Sequence, residues 1–246
     1  MTFIVHISDL HVSGSNSFND EVFLEFVSQI NDLKPDMVIV TGDITDHGYY
    51  SEFKKAKEYL AMFKSPLYAI PGNHDSRNVG YETFEEMIGE RSWVLEKNND
   101  LTVIGIDSSE PDLNNGHIGR PQQSWMENEL NKSLENSNFS IVAMHHHVIP
   151  IPKTGRERNV LSDAGDILQS LIDHNVNMVI CGHKHVPHFW RMENTLFVNA
   201  GSFSSIKLRG KDKNSYNTYR ISENYVDVIL NNSDGEKLLL GKFNKI

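Results

Sequence analysis

The sequence predicts a single α/β domain with a largely buried sheet, and three observations carry that expectation. Short apolar runs alternate with amphipathic segments, the texture of consecutive βαβ units. A length of 246 residues is common for one such domain and ample for a core. No stretch is long or polar enough to act as a linker, so residues 1–246 are read as one unit, without internal repeats or low-complexity segments.

Taken in order, Phe3 to Ile7 is the first expected strand. Val22, Phe26, Ile30 and Leu33 then recur at helical spacing, and Lys34-Pro35 ends that helix. Met37 to Val40 predicts a second strand, Phe53, Ala56, Leu60 and Phe63 a second helix, and Leu67 to Ile70 a third strand. The stretch around Glu82, Glu85 and Glu86 reads as the solvated face of a helix. Thr102 to Ile106 is a further strand, followed by a polar loop from Ser108 to Arg120. Pro121 is placed as the first residue of a helix running to Leu134. Ile141 to Met144 and Met178 to Ile180 are buried strands, separated by a helix carrying Ile167, Leu168, Leu171 and Ile172. After Phe197-Val198-Asn199, glycine-rich turns and alternation such as Tyr225 to Leu230 predict antiparallel strands completing a second sheet.

Composition narrows the function classes. A net charge of −10 argues against binding to a nucleic-acid polymer, which needs many Lys and Arg on one face. An acidic protein can still act on a small anion if metal ions supply the positive charge. The one cysteine, Cys181, excludes an intrachain disulfide and is expected as a small buried hydrophobe. The N-terminus starts straight into an apolar run with no basic leader, and no apolar stretch approaches the ~20 residues of a membrane span. The expectation is a cytoplasmic protein with no membrane partner; a homo-oligomer is compatible with the composition.

The residues at the end of each strand point to chemistry. Asp9 and His11 come after the first, Asp43 after the second, and Asn73, His74 and Asp75 after the third. His145, His146 and His147 come after another strand, and Gly182-His183-Lys184-His185 just after the next. Each group alone has an ordinary reading as a polar turn. In an open α/β sheet, however, the functional crevice lies outside the carboxyl ends of the strands. Carboxylate, imidazole and amide oxygen without thiolate suit Mn, Fe or Zn. Seven ligands are too many for one ion and suit two that share a bridging carboxylate. Such a pair can hold a hydroxide and stabilise both attacking and leaving oxygens of a phosphoryl displacement.

Asp9-Leu10-His11, Gly42-Asp43, Gly72-Asn73-His74-Asp75, His145 and Gly182-His183-Lys184-His185 resemble the five motifs of the calcineurin-like metallophosphoesterase superfamily, in the family's order. The resemblance implies a four-layer β-sandwich flanked by helices, around two divalent metal ions. It implies that Asp9, His11 and His185 hold one ion, Asn73, His145 and His183 the other, and that Asp43 bridges them. It further implies that His74 contacts the phosphate and protonates the leaving oxygen, with Asp75 fixing its tautomer. Thr41 to Gly48, Asn73 to Arg77 and Gly116 through Trp125 are similar to class III cyclic nucleotide phosphodiesterases and related glycerophosphodiesterases.

His145, His146 and His147 cannot all point inward. His145, next to the strand, is the expected ligand, His146 a substrate-side residue and His147 an ordinary one, with the division among the three left open. Arg77, His47 and His117 are further candidates for phosphate or rim contacts, and His188 is expected at the surface. The walls from Ser108 to Arg120 and from Ile151 to Asp163 are expected to set specificity. The leading expectation is a phosphodiesterase acting on a small phosphoester, such as a cyclic nucleotide, by in-line attack of a metal-bridged hydroxide. The alternatives are a phosphomonoesterase with the same centre and, more remotely, a non-catalytic metal-binding scaffold.

Overall fold

The computed structural model describes residues 1–15, 17–98, 100–155 and 160–244. In chain order the first elements are β1 (Thr2–Ile7), α1 (Asp20–Leu33), β2 (Met37–Thr41), α2 (Tyr50–Leu60), β3 (Leu67–Ile70), α3 (Gly80–Met87), β4 (Trp93–Lys97) and β5 (Leu101–Gly105). They are followed by α4 (Gly119–Glu135), β6 (Phe139–Ala143), α5 (Ala164–Asp173), β7 (Met178–Cys181), β8 (His188–Met192), β9 (Thr195–Asn199), β10 (Ser215–Ile221), β11 (Tyr225–Asn232) and β12 (Lys237–Asn244). No described helix is long and apolar enough to cross a membrane.

Strands buried on both faces set the layering. Side chains alternate across a strand, so Ile4, Met37 and Ile39 face one core while Val5, Val38 and Val40 face another. In the second sheet Ile141, Ala143, Met178 and Ile180 join the first of these cores, and Val142, Met144 and Val179 face a third. The shared core lies between two six-stranded sheets, ordered β12-β11-β10-β1-β2-β3 and β4-β5-β6-β7-β9-β8. Phe23, Phe26 and Ile30 of α1, Phe53 of α2 and Phe84 of α3 cover the outside of the first sheet. Met126 and Leu130 of α4, with Ile167 and Leu171 of α5, cover the outside of the second. The result is the expected helix–sheet–sheet–helix sandwich.

β1, β2 and β3 are mutually parallel, as are β5, β6, β7 and β9. The carboxyl ends of both parallel sets open on one edge. Backbone bonds knit the loops there: Asp9 N donates to Gly42 O (3.0 Å), Gly182 N to His145 O (3.1 Å) and Phe203 N to Ser8 O (2.9 Å).

Three expectations are corrected. The antiparallel tail does not complete the second sheet; β10 pairs with β1, Val5 opposite Thr218, and extends the first sheet. α4 begins two residues before Pro121. The first four N–H groups of a helix have no partner within it, so a proline that deep in the first turn forfeits no bond. Phe63 packs on the same core as α2 but lies beyond its end at Leu60.

Candidate metal centre

The backbone at this edge is strained where the ligand candidates sit. Asp9 (φ 54°), His11 (53°), Asp43 (49°), His183 (76°) and His185 (57°) all occupy the left-handed region. That conformation costs a non-glycine residue energy, and such outliers gather at functional sites. Tight backbone approach accompanies it: a Cβ on Gly72 would lie 2.2 Å from Asp43 Oδ1 and 2.4 Å from Asp43 N.

The side chains converge as two adjoining clusters. In the first, ligand atoms of Asp9, His11 and His185 lie within 4.8 Å of one another. Nδ1–H of His185 donates to the carbonyl oxygen of Lys207 (2.7 Å) and Nδ1–H of His11 to the carboxylate of Asp46 (3.1 Å). A carbonyl or carboxylate can only accept, so the neutral rings are left with lone pairs on Nε2. Those two Nε2 atoms face each other at 3.1 Å, and Asp9 Oδ1 lies 3.2 Å from that of His185. In the second cluster His145 gives its Nδ1–H to Thr41 O (2.7 Å) and turns Nε2 to Asn73 Oδ1 (3.2 Å); His183 Nδ1 meets the same amide oxygen at 3.0 Å. Asp43 lies between the clusters, Oδ1 3.4 Å from His145 Nε2 and Oδ2 3.7 Å from His11 Nε2.

Such a gathering of lone pairs and carboxylates calls for positive charge. Burial drives His11 down to about 4, and holds His146 and His183 well below the ordinary value. Burial also opposes protonation of His145, yet Asp43 and Asp9 overcome it and push that ring up to about 9. His185 is likewise raised against its burial by Asp9. Imidazole, carboxylate and amide oxygen form a donor set suited to borderline or hard divalent cations.

Beside the clusters stands His74, whose backbone N–H donates to Asp43 Oδ1 (2.8 Å). Its Nδ1–H donates to the main-chain carbonyl of Asp46 (2.6 Å), while its Nε2 lies 4.0 Å from Asp43 Oδ2. Burial lowers its pKa, but the Asp43 charge and the Asp46 carboxylate and carbonyl raise it more, so the net shift is upward. The expectation that Asp75 fixes this tautomer is corrected. The Asp75 carboxylate instead accepts from the backbone amides of Ile44 (3.0 Å), Thr45 (2.8 Å) and Gly72 (2.9 Å) and from the Thr45 hydroxyl (2.8 Å). It staples the turn after β3 to the turn after β2. Burial, then the Asp43 charge, raise its pKa.

A cleft of about 470 Å³ opens over the clusters, lined among others by His74, Arg77, Asn114, Lys207 and Arg209. Of the four substrate-side candidates only Arg77 lines it, with Nη2 donating to Asn114 Oδ1 (2.7 Å). His146 is instead held by the Ser108 hydroxyl at Nδ1 (2.9 Å) and by Asn114 O at Nε2 (3.2 Å), edge-on to His145. His47 pairs with Glu52 (3.0 Å) and His117 with Ser162 and Asp163 (3.1 and 3.3 Å), both away from the lining. Residues 156–159, within the wall expected from Ile151 to Asp163, lie outside the described residues.

Three residues were not singled out from sequence. Asp46, behind His11 and His74, stands three residues after Asp43 in the same turn, a spacing that could have flagged it. Lys207 and Arg209 come from the segment that crosses from β9 in one sheet to β10 in the other, and no local signal marks them.

A sequence profile of the family described as calcineurin-like phosphoesterase matches residues 4–187, so Lys207 and Arg209 lie beyond the matched part. The chain is 31% identical over 201 residues to a probable glycerophosphodiester phosphodiesterase of Arcobacter nitrofigilis, covering 74% of this chain and 71% of that one. It is 25% identical over 238 residues to a probable cyclic nucleotide phosphodiesterase of Xenorhabdus bovienii, covering 90% and 92%. Among solved structures, a dimetal phosphatase from Danio rerio superposes with a TM-score of 0.79 over 100% of this chain and 99% of that one, at 13% identity, a likeness of fold.

Proposed function

The chain belongs to the calcineurin-like phosphoesterase family, and we propose that it is a metal-dependent phosphodiesterase acting on a small substrate, a cyclic nucleotide among the candidates. The observation that carries this reading is the convergence of imidazole nitrogens on carboxylate and amide oxygens, above all the 3.1 Å approach of His11 Nε2 to His185 Nε2 beside Asp9. Asp9, His11 and His185 would hold one divalent ion, Asn73, His145 and His183 a second, with Asp43 between them. Mn, Fe and Zn all suit these donors. Bound there, such a pair of ions supplies an activated nucleophile and stabilises charge on the phosphoryl oxygens.

The chain's own residues do the rest. His74 keeps one proton on Nδ1 through Asp46 O, which leaves Nε2 to carry a second toward the cleft. In its raised protonated state it can give that proton to the departing alkoxide. Arg77, tied through Asn114 beside Asn73, offers its guanidinium to the substrate's phosphate oxygens. The likeness to probable diesterases supports a diester, and a cleft of about 470 Å³ suits a substrate of nucleotide size.

The test is turnover of bis(p-nitrophenyl) phosphate, p-nitrophenyl phosphate and cyclic AMP by Mn²⁺-loaded protein. Faster cleavage of a diester than of the monoester is expected. A preference for the monoester would make it a phosphatase, and no turnover of any diester would overturn the reading.

A further inference from the structure

Arg209 and Arg77 are the guanidinium groups of the cleft, and they reach it from different sheets. Lys207 Nζ is matched by the Asp46 carboxylate at 2.7 Å, and Arg77 stands beside His74, where the scissile phosphate is proposed to lie. Arg209, like Arg77 on Asn114 Oδ1 beside His74 Nδ1, is held by neutral groups: Nε donates to Lys184 O (2.9 Å), and Nη1 lies 3.5 Å from Thr154 O. No described carboxylate pairs with it, in a chain whose net charge is −10. A guanidinium has five N–H donors. Two point at these carbonyls, which aim the group without neutralising it, and the rest are free for a ligand. Its anchor, Lys184, lies between His183 and His185, so Arg209 overhangs the clusters from the wall formed by β7 and the β9–β10 crossing. Arg77 belongs to the turn after β3, in the other sheet.

We propose that Arg209 is a specificity-determining residue that binds a second phosphate, carried by the substrate in addition to the scissile phosphodiester. A simple diester carries one negative charge, and the metal clusters with Arg77 already answer it. An oriented, uncompensated guanidinium across the cleft matches a further oxyanion, which it can take in bidentate fashion. The inference rests on the phosphodiesterase reading and narrows its substrate class to diesters with a phosphorylated arm.

The test is equilibrium binding of thymidine 5′-monophosphate and thymidine 3′,5′-bisphosphate to Mn²⁺-loaded protein by calorimetry, with metal per chain measured alongside. The wild-type protein should bind the bisphosphate about tenfold more tightly. That ratio should fall to about two or less in Arg209→Gln, recover partly in Arg209→Lys, and shrink with added salt, while metal content stays constant. Equal binding of both nucleotides by wild type, or an undiminished ratio in Arg209→Gln, overturns the proposal. Failure of the metal-loaded wild type to bind either nucleotide overturns this inference, whereas the phosphodiesterase reading fails only if no diester is turned over.

Discussion

The Nδ1 atom of His74 lies 2.6 Å from the main-chain carbonyl oxygen of Asp46 and 3.5 Å from the carboxylate of the same residue, so Asp46, and not the adjacent Asp75, sets the tautomer of that ring. The Asp46 side chain also meets His11 Nδ1 (3.1 Å), Ser17 Oγ (2.9 Å) and Lys207 Nζ (2.7 Å). Asp46→Asn should therefore weaken metal binding, by ~10–100-fold as for other groups that orient a ligand, measured by metal titration. The high-pH limb of activity set by His74 should move to lower pH in this variant, because the Asp46 carboxylate helps to raise the pKa of that ring. Unchanged metal affinity would contradict this role.

His74→Ala should lower kcat on an unactivated alkyl diester by ~10²–10⁴, the usual share of a general acid, without altering metal per chain. A general acid works while protonated, so wild-type activity should fall as pH rises through a His74 pKa above the ordinary 6.5. That limb should vanish in His74→Gln. Full activity of either variant on the alkyl diester would remove His74 as proton donor.

Asp75 predicts a loss of a different kind. Its carboxylate is the acceptor for three backbone amides and one hydroxyl in a fully buried turn. Leaving such donors unpaired costs ~1–3 kcal/mol each, so Asp75→Ala should destabilise the fold by roughly 3 kcal/mol or more in urea titration. Asp75→Asn, which keeps one acceptor oxygen, should cost less. A loss below about 1 kcal/mol in the alanine variant would contradict the staple role.

His6 makes stability depend on pH. It is wholly buried between the Tyr219 hydroxyl (2.7 Å) and the Thr41 hydroxyl (2.8 Å), and burial lowers its pKa from 6.5 to about 3. Below 6.5 the unfolded chain takes up a proton that the folded chain refuses until about 3. Its contribution is thus complete above 6.5 and is lost as pH falls through that window, with a slope up to about 1.4 kcal/mol per pH unit. Urea titrations from pH 4.5 to 7 should show a shallower slope in His6→Gln than in wild type. Equal slopes would mean that His6 is protonated in the folded state.

Much of this was legible in the sequence because strands buried on both faces are continuous apolar runs, and the residue that ends each run is conspicuous. Asp9, Asp43, Asn73, His145 and His183 stand out in this way, and the structure gathers them on one edge. β4 and β8 were not legible. Both are edge strands whose exposed positions, Glu96 and Arg191, break the apolar pattern. The resemblance assigns Asp75 to His74, whereas the parallel pairing of β2 with β3 carries its carboxylate to the amides of Ile44 and Thr45. Arg209 lies more than twenty residues beyond His185, and only the crossing from β9 to β10 brings it over the cleft.

The reading of this site turns on two divalent ions occupying the paired clusters with Asp43 between them. Metal per chain decides it, by elemental analysis after stripping the protein, reloading it with Mn²⁺ and removing excess. Two ions per wild-type chain are expected, and one or none in Asp43→Ala with the fold retained. One ion or fewer in the wild type, or two in Asp43→Ala, would contradict the paired-ion centre.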